Sequence, residues 1–200
     1  MQNIETTFPA HVLKAAPAPE TCAGPADYLS HLLDQRPDLC AAALPYAGHE
    51  DLAELVTGRM WSRDSGDDLR ALGCISDHPE CDFWVALAIL LRIFPAPGAA
   101  PEHTALAVTL VDSINAGRRP MRHSATPVIT TEGLRLYESL TEGRDALRIS
   151  TAIAEKARAH AAWLDRGRRA DARYAMFAGT PIWAANQAGP DTRQPTTPEK

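Results

Sequence analysis

Every residue between Asp82 and Arg92 is apolar, reading Phe83-Trp84-Val85-Ala86-Leu87-Ala88-Ile89-Leu90-Leu91. A helix that is apolar on all sides has no face to offer water, so other helices must enclose it. The run is about half the roughly 20 residues that a membrane span needs, and a buried core helix over residues 82–94 is the expectation. Asp82 is placed to cap it by accepting from free N–H groups two or three residues on, Arg92 complements the dipole at the far end, and Pro95 stops it. The turn before it, His78-Pro79-Glu80-Cys81, becomes the joint on which the fold is hung.

An enclosed helix needs neighbours, and the rest of the chain supplies them as helices. Among 200 residues, 45% are hydrophobic, 22% charged and only 6% aromatic, with abundant Ala and Leu, a balance that favours helix. Pro25 and Pro37 suit first helical positions, before stripes at Tyr28, Leu29, Leu32 and Leu33 and at Leu39, Cys40, Ala43 and Leu44. Leu52, Leu55, Val56 and Met60 form another stripe, and Ser65 caps a helix bearing Leu69, Leu72 and Ile75 that must finish near Asp77, because His78 precedes a proline. After a linker from Pro95 to Pro101, Leu106, Leu110, Val111 and Ile114 line a further helix with Gly117 just beyond its end. Residues 117–129 read as a loop. Thr131 begins a helix with Leu134, Tyr137 and Leu140, and a longer one runs from Asp145 to about Asp165 with Gly167 as its cap.

The expected fold is all-α, a compact bundle or stacked helical hairpins of about seven to nine helices around the buried helix 82–94. Residues 1–24 are expected to be an extended arm tethered by Phe8, Val12 and Leu13, residues 25–185 a single helical domain, and residues 186–200 a polar, disordered tail. The N-terminus lacks a basic region followed by an apolar core, so a cytoplasmic location is the default expectation. Four cysteines, Cys22, Cys40, Cys74 and Cys81, then read as free thiols.

Chemistry is sparse. Cys74-x3-His78-x2-Cys81 could offer zinc three donors at a helix-to-helix turn, with His49 or His31 as a fourth, and a small metal-dependent hydrolase is the alternative this cluster raises. Its spacing matches no standard zinc pattern, and turn, cap and buried thiol account for the same letters, so no metal, cofactor or catalytic residue is assigned. No nucleophile elbow or Gly-rich phosphate loop is present.

Charge is distributed unevenly. Residues 1–100 carry 14 acids against 6 bases, and residues 101–200 carry 11 against 14. The acidic half suits a basic protein partner. Interaction candidates are Trp61 if exposed, the carboxylates Asp64, Asp67 and Asp68, and the cations Arg118, Arg119 and Arg122. A nucleic-acid regulator using those arginines and the run Arg166 to Arg173 is a further alternative, although aspartates interrupt that run.

Trp61, the acidic stretch through Asp68, Ile75 and His78-Pro79-x-Cys81-Asp82-x-x-x-Ala86-Leu87-x-Ile89 together resemble a short bacterial domain of unknown function, over residues 61–94 only. Members occur in small helical bacterial proteins, some near polymorphic-toxin loci. The resemblance implies a cytoplasmic, non-catalytic protein-binding module of immunity or adaptor type, and it supplies no catalytic residues to carry over.

Overall fold

A computed structural model of the chain describes residues 3–62, 65–94, 101–122 and 131–170, the side chains of 131 and 165–170 excepted. Over these residues the protein is all-α, with ten α-helices and no strand. They are α1 (Ile4–Thr7), α2 (Ala10–Ala15), α3 (Pro25–Gln35), α4 (Pro37–Ala43), α5 (His49–Gly58), α6 (Gly66–Asp77), α7 (Phe83–Ile93), α8 (Pro101–Asn115), α9 (Thr131–Leu140) and α10 (Thr151–Ala170), with 3-10 turns at Leu44–Tyr46 and Asp145–Leu147. None of the described helices is long and apolar enough to cross a membrane.

Local chemistry sets most of the boundaries. Pro25 and Pro37 occupy first-turn positions, where a missing N–H costs nothing. Ser65 Oγ accepts from the Asp68 N–H at 3.1 Å to start α6, and Asp82 Oδ1 accepts from the Val85 N–H at 2.9 Å to start α7. At the end of α8, Gly117 takes φ +70°. Its N–H donates to the Ile114 carbonyl and the Arg118 N–H to that of Ser113, the paired bonds of a Schellman cap, which needs a left-handed residue at this point.

Helix α7 is buried from Phe83 to Leu90 and at Ile93, and it packs against α5, α6, α8 and α9. Each large apolar side chain so enclosed stabilises the fold by about 1.5–3 kcal/mol. Arg92, expected to serve only its own helix, also reaches across and donates to the Thr57 carbonyl at 3.0 Å. It thereby closes an orphan carbonyl at the end of α5.

Four expectations are corrected. Residues 4–15 are not extended: Asn3 caps α1 through the Glu5 N–H, Pro9 starts α2, and Phe8 and Val12 are buried, so the arm folds to keep its apolar residues inside. Met60 stands 90% exposed because α5 stops at Gly58. The last long helix begins at Thr151 after a separate 3-10 turn at Asp145–Leu147 and continues through Gly167 to Ala170; a helical glycine costs only about 1 kcal/mol, which the rest of the helix outweighs. Leu140 is partly exposed, whereas Leu134 and Tyr137 are buried as their spacing predicts. Residues 95–100 of the linker, residues 123–129 of the expected loop and the 186–200 tail lie outside the described residues.

Candidate binding groove

Helices α3, α4, α5 and α6 enclose a groove of about 420 Å³. Its base is apolar, formed by Leu33, Cys40, Leu44, Leu55 and Ile75, and the small residues Ala41 on α4 and Ala71 on α6 leave the space between those helices unfilled. Pro37, Asp38, Asp67, Arg70 and Cys74 form an exposed rim. Concave, mainly apolar surfaces with a few polar groups at the edge are where proteins bind things.

The helices around it carry more carboxylates than arginines. Over residues 25–62 and 65–78 the carboxylates are Asp27, Asp34, Asp38, Glu50, Asp51, Glu54, Asp67, Asp68 and Asp77, and the arginines are Arg36, Arg59 and Arg70. Each arginine already faces a carboxylate: Arg36 meets Asp38 at 2.9 Å, Arg70 meets Asp67 at 3.3 Å, and Arg59 meets Asp34 at 2.8 Å and Asp68 at 3.2 Å. The two rim carboxylates, Asp38 and Asp67, are thus matched one to one by arginines, and the excess of carboxylates belongs to the four helices as a whole. Burial raises the Glu54 carboxyl above its usual range, helped by Asp27, Asp51 and Glu50 nearby.

The sequence-derived candidates separate into two groups. Asp67 stands on the groove rim, whereas Asp68 is buried, accepting from the Ser62 N–H at 2.7 Å and from Arg59. Trp61 is half-buried, donates its indole N–H to the Val56 carbonyl at 3.0 Å, and carries the Arg59 guanidinium over its ring. Asp64 lies outside the described residues.

Of the basic candidates, Arg118 is exposed, while Arg119 and Arg122 turn inward onto the His78–Asp82 joint. Arg119 donates to the Ser76 carbonyl at 2.6 Å, the Cys81 carbonyl at 2.9 Å and Ser113 Oγ at 3.0 Å. The Arg122 N–H donates to Asp82 Oδ2 at 3.1 Å and its guanidinium pairs with Glu80. The Phe83 N–H donates to the Pro120 carbonyl. Residues 118–122 are thus a strap across the joint, engaged with the protein itself.

Asp82 is completely buried, and burial pushes its carboxyl above the ordinary range, against the Val85 N–H, His49 and the Arg122 N–H. His49 Nδ1 lies 3.3 Å from the Glu80 carbonyl. A carbonyl only accepts, so that nitrogen carries the proton, and Nε2 faces Asp82 Oδ2 at 3.8 Å. His78 Nδ1 accepts from the Glu80 N–H at 3.0 Å, holding the turn.

The candidate metal set does not converge. Cys74 is exposed on the groove rim, Cys81 is buried, and His78 Nδ1 is taken by a backbone N–H. Among the described residues no group of three or more His, Cys, Asp and Glu is arranged to hold a metal ion.

The thiols supply two checks. Cys74 is expected to react with a disulfide reagent in the native protein, while Cys40 and Cys81, both buried, react only on unfolding; prompt native labelling of Cys81 would contradict this packing. Burial also pushes the Cys40 and Cys81 thiols from 9.0 up to about 12. The native state then holds protons that the unfolded chain releases, so stability is full below pH 9 and falls as pH rises towards 12, by about 1.4 kcal/mol per pH unit for each thiol. Urea midpoints under reducing conditions should drop more steeply across this window in the native sequence than in a Cys40→Ala/Cys81→Ala variant.

The groove itself has no local sequence signature: Ala41 and Ala71 read as ordinary helix residues, and only the approach of α4 to α6 makes them walls. Comparison with protein-family models, curated proteins and solved structures returns no match to this chain.

Proposed function

We propose that this protein is a non-catalytic protein-binding module, of immunity or adaptor type in a bacterium, whose helices form a bundle around α7 and whose work is to cover a surface of another protein. The observation that carries this reading is the open apolar groove, walled by helices on which carboxylates outnumber arginines. Shape and buried apolar contacts would supply affinity, and the carboxylate excess would aid encounter with a basic partner. The strap arginines Arg119 and Arg122 are engaged with the joint, which leaves the groove side as the better binding surface.

Ala41 is exposed on the groove wall, so Ala41→Glu should leave the fold intact while obstructing the groove. Tagged native protein is expected to co-purify a stoichiometric protein partner, and the A41E variant to lose it with an unchanged melting temperature. Equal recovery by both would remove the groove from the interface, and recovery of nucleic acid in place of protein would overturn the reading.

A further inference from the structure

We propose that the joint before α7 is a pH-responsive contact: one proton taken up between His49 Nε2 and Asp82 Oδ2 draws the first residue of α5 onto the cap of α7. This device is independent of what the groove binds.

Both side chains are buried, their facing atoms stand 3.8 Å apart, and His49 Nε2 has no hydrogen-bond partner. The other ring nitrogen, Nδ1, lies 3.3 Å from the Glu80 carbonyl and must carry a proton to bond there. In a neutral ring Nε2 is therefore an acceptor, and it faces a carboxylate oxygen, which is another acceptor. An imidazolium has two N–H donors, and the Glu80 carbonyl and Asp82 Oδ2 stand opposite its two nitrogens. If the proton sits on Asp82 instead, the carboxyl O–H donates to Nε2, so either location puts one hydrogen bond where two acceptors faced each other. A charge-assisted bond is about 2.7–2.9 Å long, so uptake closes the gap by about 1 Å. Burial raises the Asp82 carboxyl above its usual range, and the proton accordingly begins to enter above the ordinary carboxylate range.

The neighbouring charged groups leave this pair to itself. On the strap, the Arg122 guanidinium pairs with Glu80, Arg119 bonds the Ser76 and Cys81 carbonyls, and Arg118 is exposed. On α6 and the turn, Asp77 is exposed, His78 Nδ1 accepts from the Glu80 N–H, and burial pushes the Cys81 thiol up to about 12, so it stays protonated. On α5 itself Asp51 accepts from the Gly48 N–H and Glu50 is exposed, while Arg92 of α7 donates to the Thr57 carbonyl at the far end of α5. The other helices against α5 and α7 carry Asp27, His31 and Asp34 on α3, Glu102, His103 and Asp112 on α8, and Glu132, Arg135 and Glu138 on α9. None of these is buried, so water screens them from a buried pair.

Solution NMR of the full chain tests this, with isotope-labelled histidine and aspartate followed from about pH 8 down to about pH 4. The His49 ring nitrogens and the Asp82 carboxyl carbon should move together with a single midpoint, as expected of two groups that share one proton. Below that midpoint a proton should appear between His49 Nε2 and Asp82. Asp82→Asn should lower the His49 midpoint by at least about one pH unit, and His49→Gln should do the same to that of Asp82. Separate midpoints in the native protein overturn the proposal, and a water molecule donating to both atoms would give that result. An unchanged His49 midpoint in D82N overturns it too, as does a His49 ring that keeps its Nδ1 proton alone while Asp82 stays ionised throughout. Should either variant fail to fold, the native titration decides by itself.

Discussion

Asp82→Ala is expected to lower unfolding free energy by about 3 kcal/mol, from a lost helix cap of about 1 kcal/mol and buried N–H groups left unmet at about 1–3 kcal/mol. The groups concerned are the Val85 and Arg122 N–H, both bound to this one carboxylate. Asp82→Asn should lose about 1–2 kcal/mol, less than alanine, because the amide oxygen can still accept from the Val85 N–H and no charge is buried, while the amide NH2 in the place of Oδ2 leaves the Arg122 N–H without an acceptor. The pH dependence separates them further. With its pKa raised by burial, Asp82 binds its proton more tightly in the native state, so its contribution is greatest at acid pH and declines as pH rises through the carboxyl range. The D82N variant lacks that decline and should gain on the native sequence towards neutrality. Urea unfolding at several pH values measures both, and an alanine variant as stable as the native protein would refute the role given to this carboxylate.

Arg119→Ala should be comparably damaging, about 3 kcal/mol, since hydrogen bonds from charged donors are worth about 1.5–3 kcal/mol each and are not additive. The planar guanidinium reaches the Ser76 carbonyl, the Cys81 carbonyl and Ser113 Oγ together. A lysine ammonium has no such fork, and Arg119→Lys is expected to restore less than half of the loss. Full rescue by lysine would mean that charge alone matters at this position. Arg118→Ala, on an exposed neighbour, provides the control and should be nearly neutral.

What could be read in the sequence was whatever one turn of chain decides by itself. Pro25, Pro37, Ser65 and Asp82 mark helix starts because their effects reach only two or three residues, and Gly117 ends α8 for the same reason. The apolar run over 83–91 announced an enclosed helix without any knowledge of its neighbours. Side chains acting at long range were not legible. Trp84 donates its indole N–H to His160 Nδ1, 76 residues on, and no local pattern relates the two. Arg119 and Arg122 looked like surface cations because a charge run usually is one; the fold instead turns them onto the joint. Cys74, His78 and Cys81 are close in sequence, yet a helix face, a turn and a buried cap lie between them, so proximity along the chain did not become proximity of donors. The groove belongs to this second kind, a product of four helices rather than of any stretch of letters.

The strap also bears on the order in which this protein can be made. Its bonds to the joint join residues 38, 43 and 40 positions apart, so a ribosome releases the apolar segment 83–93 well before the chain that secures it. During that interval Asp82 lacks the Arg122 N–H and the carbonyls of Ser76 and Cys81 lack Arg119, while α7 has neither α8 nor α9 to cover it. Contacts of such separation form late. The nascent chain therefore passes through a stage with its most hydrophobic segment uncovered, a point of vulnerability to aggregation during synthesis.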